Sequence, residues 1–130
     1  MCGILGTFSG KGCPLSGDEA RSIFTDLLLR SETRGREASG LALTTSLGMR
    51  LLRSPLSAHS LVDRSEYKRI FSDFGPFKES GIIGHSRLVT NGTQKKSINN
   101  QPVFRDRVVA VHNGILVNIE SLWQQFPDLK

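Results

Sequence analysis

The apolar run CGILGTF at 2–8 gives way to a stretch containing Gly, Lys and Pro, which predicts a strand followed by a loop. From Asp18 onward Ala20, Ile23, Phe24, Leu27 and Leu28 recur at helical spacing. Ser16 and Asp18 can cap the start and Gly35 lies beyond the end, so the pattern predicts a helix with one buried face. SGLALTT at 39–45 and MRLLRS at 49–54 flank Leu47 and Gly48, which predicts a hairpin with Gly48 in the tight turn. Leu61, Val62, Ile70 and Phe71 fit an amphipathic helix over 59–73 only loosely.

GIIGHSRLV at 81–89 and RVVAVHN at 107–113 read as two buried strands, separated by the long polar stretch TNGTQKKSINNQPVFRD. Long ordered loops in small domains are often functional, so this one is a candidate for substrate contact. Asn113-Gly114 is a turn signal, and Asn118 can cap a last helix whose face carries Ile119, Leu122, Trp123 and Phe126. The order of strand, helix, strands and helix favours helices on antiparallel sheets over a parallel βαβ array. No repeat or low-complexity linker divides the chain.

At 130 residues the expectation is one domain or part of one. The formal charge is +5, with basic residues interspersed with acids; a nucleic-acid footprint would be more clustered. No apolar run reaches the roughly 18 residues of a spanning helix and no long apolar leader is present, so no membrane association is expected and the cytoplasm is the expected compartment. Two cysteines do not make a disulfide framework, and the histidines at 59, 85 and 112 lack zinc-site spacing; neither metal nor cofactor is implied.

Cys2 is the first candidate for chemistry. A free thiol is mostly protonated at neutral pH and needs a base or a cation beside it. If Met1 is removed, the α-amine of Cys2, with a pKa of about 8, becomes a base on the same residue. A buried strand cysteine is the bland alternative. RGREASG at 34–40 sets arginines and glycines between helix and strand, where Gly can admit another backbone closely and an arginine near the thiolate would favour its charged form; a plain helix exit is equally compatible. In GHSRLVTNG at 84–92, Arg87 can leave the sheet to clamp a carboxylate, with Thr90, Asn91 and Gly92 as further contacts. His85 is more readily a core residue than a base. In VHNGIL at 111–116 the Asn113 side chain and the Gly114 backbone N–H can point at one oxygen as an oxyanion hole, unless the pair is a simple hairpin turn.

Together, CGI at 2–4, RGxxxxG at 34–40, GHxRxxTxG at 84–92, Asn99-Asn100-Gln101-Pro102 and HNG at 112–114 resemble the class II glutamine amidotransferase domain. VHNGILVN is closer in style to the sugar and phosphoribosyl branches of that family than to the asparagine synthetase branch. The resemblance implies an α+β fold, the N-terminal-nucleophile αββα sandwich of antiparallel sheets, incomplete here at its C-terminal side. It implies that Cys2 attacks the glutamine side-chain amide, that its α-amine serves as base and then acid, and that Asn113 and Gly114 hold the oxyanion. Arg87 would bind the glutamine α-carboxylate, with Thr90, Asn91, Gly92 and His112 around the substrate and Arg34 and Gly35 in support. Water would then release glutamate from the thioester, and ammonia would pass to an acceptor domain or partner outside this chain.

Three positions depart from the family pattern. Glu37 stands where an aspartate is usual, Leu88 follows the clamping arginine in place of an aromatic, and the Ser-Asp-[Ser/Thr]-type stretch that grips the substrate α-amine is not reached by residue 130. Two other readings remain open: a non-catalytic amidotransferase-like module binding an anion at Arg87, and an N-terminal-nucleophile amidohydrolase with another amide substrate.

Overall fold

The computed structural model describes residues 1–129 except 13, 14, 46, 47, 73–78 and 89–92. Strand β1 (Gly3–Ser9) leads to helix α1 (Gly17–Ser31), which runs on into a single 3₁₀ turn, Glu32–Arg34. The start of α1 is fixed locally. Ser16 accepts from the Glu19 N–H at 3.2 Å while the Glu19 carboxylate accepts from the Ser16 N–H at 2.8 Å, a reciprocal capping box. Ala20, Phe24 and Leu28 form the buried stripe, whereas Ile23 is 44% exposed.

Strands β2 (Ala38–Thr45) and β3 (Gly48–Ser54) form the expected hairpin, with Gly48 at φ 133°. The loose helical signal over 59–73 resolves into two short helices, α2 (Ala58–Val62) and α3 (Ser65–Ser72). Strand β4 (Ser80–Arg87) then inserts between β1 and β2, giving the antiparallel order β1-β4-β2-β3.

Alternation along these strands decides what each face meets. Leu41, Leu43 and Ile82 turn towards the helices and join Phe24, Leu28, Leu61, Tyr67, Ile70 and Phe71 in one core. Tyr67 meets Phe71 edge-on at 5.3 Å between ring centroids, and its hydroxyl hydrogen bonds to Thr25 at 2.8 Å. Burial pushes the Tyr67 phenol up to about 12, so it stays a neutral partner at any ordinary pH. Ser86, on the same face of β4, donates to the Ser31 carbonyl at 2.7 Å and ties the sheet to the end of α1.

On the opposite face a ribbon of β5 (Val103–Arg105) and β6 (Val108–Ala110), joined by Asp106 and Arg107 in positive φ as a two-residue hairpin turn requires, borders a depression in which Arg107 and Val109 meet Ala42 and Ile83. The expectation of a buried strand over 107–113 is corrected here. Only three residues pair, on one side, and Val108 remains 65% exposed, because β6 pairs with β5 alone among the described residues and only Val109 of its three residues is partly buried. Helix α4 (Ile119–Gln125) forms as expected, but Asn118 makes no side-chain cap bond, and Phe126 sits beyond the helix at 51% exposure.

The fold is therefore α+β with an antiparallel sheet, and its second sheet is a two-stranded ribbon among the described residues. No helix among them is long and apolar enough to cross a membrane.

Candidate active site

Pairing of Gly3 with Ser86 in the β1–β4 register carries Cys2 to the C-terminal end of β4, beside Arg87. There the backbone of Leu88 brackets the sulfur: its N–H donates to Cys2 Sγ at 3.4 Å, and the thiol approaches its carbonyl at 3.6 Å. The segment that follows β6 arrives from the other side. Asn113 Nδ2 donates to the Cys2 backbone carbonyl at 3.0 Å, joining residues 111 positions apart.

The Asn113-Gly114 pair is not a hairpin turn, since no strand follows it among the described residues and Gly114 does not adopt positive φ. A carboxamide NH2 has two hydrogens, of which this contact uses one. The Gly114 backbone is overlain by the His112 ring; a Cβ at Gly114 would lie 2.8 Å from His112 Nε2.

Position 112 is latched by Gln101, whose amide donates to the His112 carbonyl at 3.0 Å and accepts from the His112 N–H. Gln101 in turn crosses β2 at Gly40, where a Cβ would fall 2.3 Å from the Gln101 carbonyl oxygen, so a side chain at residue 40 would displace the loop. The last glycine of RGREASG is thus explained by close backbone approach.

Cys2, Arg87, Gln101, His112, Asn113 and Gly114 line one cavity of about 650 Å³, together with His85, Leu88 and Asn99. Arg87 is 8% exposed, and its Nη1 donates to Asn100 Oδ1 at 2.9 Å; Asn100 is itself buried and donates to the Gln94 carbonyl at 2.7 Å. A buried guanidinium held in plane this way is suited to a carboxylate or another planar acceptor. His85 lies on the same face of β4. Burial, reinforced by the charges of Arg87 and His112, lowers its pKa to about 4; the His112 backbone offsets part of this without reaching hydrogen-bond geometry.

Arg34 and Gly35 fall elsewhere. They line a neighbouring depression of about 400 Å³ that shares Met1 and Leu88 with the Cys2 cavity. Arg34 is exposed and Arg36 leans towards Glu32 at 3.8 Å, so the guanidinium on the Cys2 cavity is that of Arg87, not one from the 34–36 segment. Gly35 contributes by contact: a Cβ there would lie 2.2 Å from the Arg87 carbonyl carbon. The Glu37 N–H donates to the Arg87 carbonyl at 3.1 Å, so the backbone at this position braces β4 whichever acid it carries.

Glu32 fixes the far side of this segment, accepting from the His59 N–H at 2.7 Å and facing the His59 ring at 2.9 Å. Burial works to raise its pKa, but the His59 contacts and Arg36 outweigh that and leave it lowered.

Thr90, Asn91 and Gly92 lie outside the described residues. No group of three or more His, Cys, Asp or Glu among the described residues is placed to hold a metal. The Asn-Asn-Gln-Pro stretch belongs to the long polar loop expected from the sequence to contact substrate; that Asn100 braces Arg87, that Gln101 latches His112, and that Asn99 and Gln101 line the cavity depends on the fold.

No protein-family model matches the chain. Among curated relatives, a glutamine–fructose-6-phosphate aminotransferase (isomerizing) of Yersinia pseudotuberculosis is 32% identical over 123 residues, covering 94% of this chain and 18% of the relative. Proteins of the same description from Helicobacter pylori (strain J99) and Escherichia coli (strain K12) are 32% and 29% identical over 94% and 96% of the chain, again covering 18% of their own length. The chain spans about a fifth of the length of these relatives. Five motifs in the family's order and this kinship along nearly the whole chain place it in the class II glutamine amidotransferase family.

Proposed function

We propose that the chain, once Met1 is removed, belongs to a glutamine-hydrolysing unit that supplies ammonia to an acceptor domain or partner. The observation that carries this reading is the convergence of Cys2, Arg87 and Asn113 on one cavity, with the Asn113 side chain donating to the carbonyl of Cys2 itself. Met1 is 73% exposed, and the small side chain of Cys2 suits aminopeptidase processing.

In this mechanism the free α-amine takes the Cys2 thiol proton as sulfur attacks the glutamine Cδ. The second Asn113 N–H and the Gly114 backbone N–H stabilise the oxyanion. The ammonium returns the proton to the leaving nitrogen, the C–N bond breaks, and ammonia departs from a γ-glutamyl thioester. Water then attacks the thioester, the C–S bond breaks, and glutamate and the free thiol are regenerated. Arg87 binds the substrate α-carboxylate, with His112 closing the cavity and Thr90, Asn91 and Gly92 belonging to the same substrate-binding stretch. The domain is read as the N-terminal-nucleophile type, in which the β5–β6 side forms the second sheet layer. The relatives' names pair their transferase with fructose 6-phosphate, which makes a sugar phosphate the first acceptor to test.

Processed and Met1-retaining chains, distinguished by intact mass, would be assayed for glutamate release from glutamine, with hydroxylamine added to trap the thioester as γ-glutamyl hydroxamate. The processed chain should turn over and the Met1-retaining chain should not. Saturable glutamine binding by the processed chain with neither glutamate nor hydroxamate formed would refute catalysis and leave a binding module.

A further inference from the structure

The two residues that follow His85 on β4 have defined partners: Ser86 bonds to the Ser31 carbonyl and Arg87 to Asn100. His85 is only 1% exposed, yet neither of its ring nitrogens has a hydrogen-bond partner among the described residues. Buried polar atoms almost always have one, so the exception needs an explanation.

Strand alternation sends the His85 side chain to the same face as Arg87, and both line the cavity that holds Cys2 and Asn113. The titratable or charged groups facing the ring are Arg87 on its own strand and His112 from the segment after β6; burial, with the Arg87 guanidinium beside it, keeps the ring uncharged at neutral pH. An uncharged imidazole presents one N–H donor and one lone-pair acceptor. A guanidinium presents donors only.

We propose that His85 is a substrate-contacting residue, whose ring hydrogen-bonds the amide ligand that occupies the cavity. This rests on the reading of the site as one for glutamine. A primary carboxamide carries both N–H donors and a carbonyl acceptor and matches an imidazole on both counts, whereas the α-carboxylate matches Arg87. Two positions along a strand span roughly 6.6 Å, comparable with the extended length of glutamine between its carboxylate and its amide. One strand would thereby read both ends of the ligand.

The test uses the processed chain and follows alkylation of Cys2 by iodoacetamide, with and without glutamine, in the parent, His85→Phe and His85→Gln. Glutamine should protect Cys2 in the parent. His85→Phe should need roughly tenfold more glutamine for half-protection, as expected for one lost hydrogen bond to a buried partner, while its alkylation rate without glutamine stays within about twofold of the parent. His85→Gln, which keeps a donor and an acceptor, should recover part of the difference. An unchanged half-protection concentration in His85→Phe overturns the proposal. Failure of glutamine to protect even the parent overturns the underlying glutamine reading instead. Should His85→Phe not fold, the ¹⁵N signals of the His85 ring in the parent decide: a shift on adding glutamine supports the contact, and unmoved signals refute it.

Discussion

Gly35→Ala should damage both stability and catalysis through a single steric contact. A Cβ at residue 35 would lie 2.2 Å from the Arg87 carbonyl carbon, 2.3 Å from the Leu88 nitrogen and 2.5 Å from the Arg87 oxygen. Ordinary contact begins at 3.4 Å, so one backbone must withdraw by about 1 Å, and neither is the yielding tip of a side chain. Overpacking of this kind costs about 1–3 kcal/mol, and a domain of this size loses roughly 4 °C of Tm per kcal/mol. The displaced backbone is also the one that brackets Cys2, since the Leu88 N–H reaches Sγ at 3.4 Å. A misplacement of about 1 Å in a catalytic constellation can reduce its rate by about 100-fold. Thermal denaturation followed by circular dichroism should therefore show a fall of roughly 4–12 °C, and glutamate release should drop by about two orders of magnitude. Gly10→Ala is the matched control, because a Cβ there meets nothing within 4 Å. A Gly35→Ala protein that melts within about 1 °C of the parent and keeps its turnover would refute the reasoning.

Arg87→Ala should abolish glutamine-dependent protection of Cys2 and destabilise the fold by about 2 kcal/mol in urea titration, because the buried Asn100 carbonyl loses its donor; Arg87→Lys should not restore protection, since an ammonium cannot reproduce the planar fork. Ser16→Ala removes one half of the capping box and should cost about 1 kcal/mol by the same titration while leaving turnover at saturating glutamine unchanged. Stability should also fall as pH is lowered. The folded His85 has its pKa depressed to about 4, so the unfolded chain binds the extra proton first; this contribution is complete above about 6.5 and is lost on going down towards 4. Glu32, lowered from 4.5, adds a second loss at still lower pH. Urea titrations of His85→Gln should show a flatter profile between pH 6.5 and 4, and an unchanged slope there would contradict the assignment.

How much of this was legible in the sequence follows from how far each determinant reaches along the chain. Helix α1, its Ser16 cap and its Phe24–Leu28 stripe lie within about four turns of one another, so spacing and capping chemistry define them without any partner. The β2–β3 hairpin is local in the same way. Site residues were named from ordered motifs, and the fold brings Cys2, Arg87, His112, Asn113 and Gly114 to one cavity.

Only the tertiary structure decided which groups meet. That Arg87 faces Cys2 while Arg34 does not follows from the β1–β4 register and from Gly35 pressing on β4. The bond from Asn113 to the Cys2 carbonyl, and the burial of the His85 ring without a hydrogen-bond partner among the described residues, likewise depend on how distant segments pack. Hydrophobic period and caps encode the conformation of ten or twenty consecutive residues; the partners of a side chain depend on register and packing across the whole chain, which no local pattern carries.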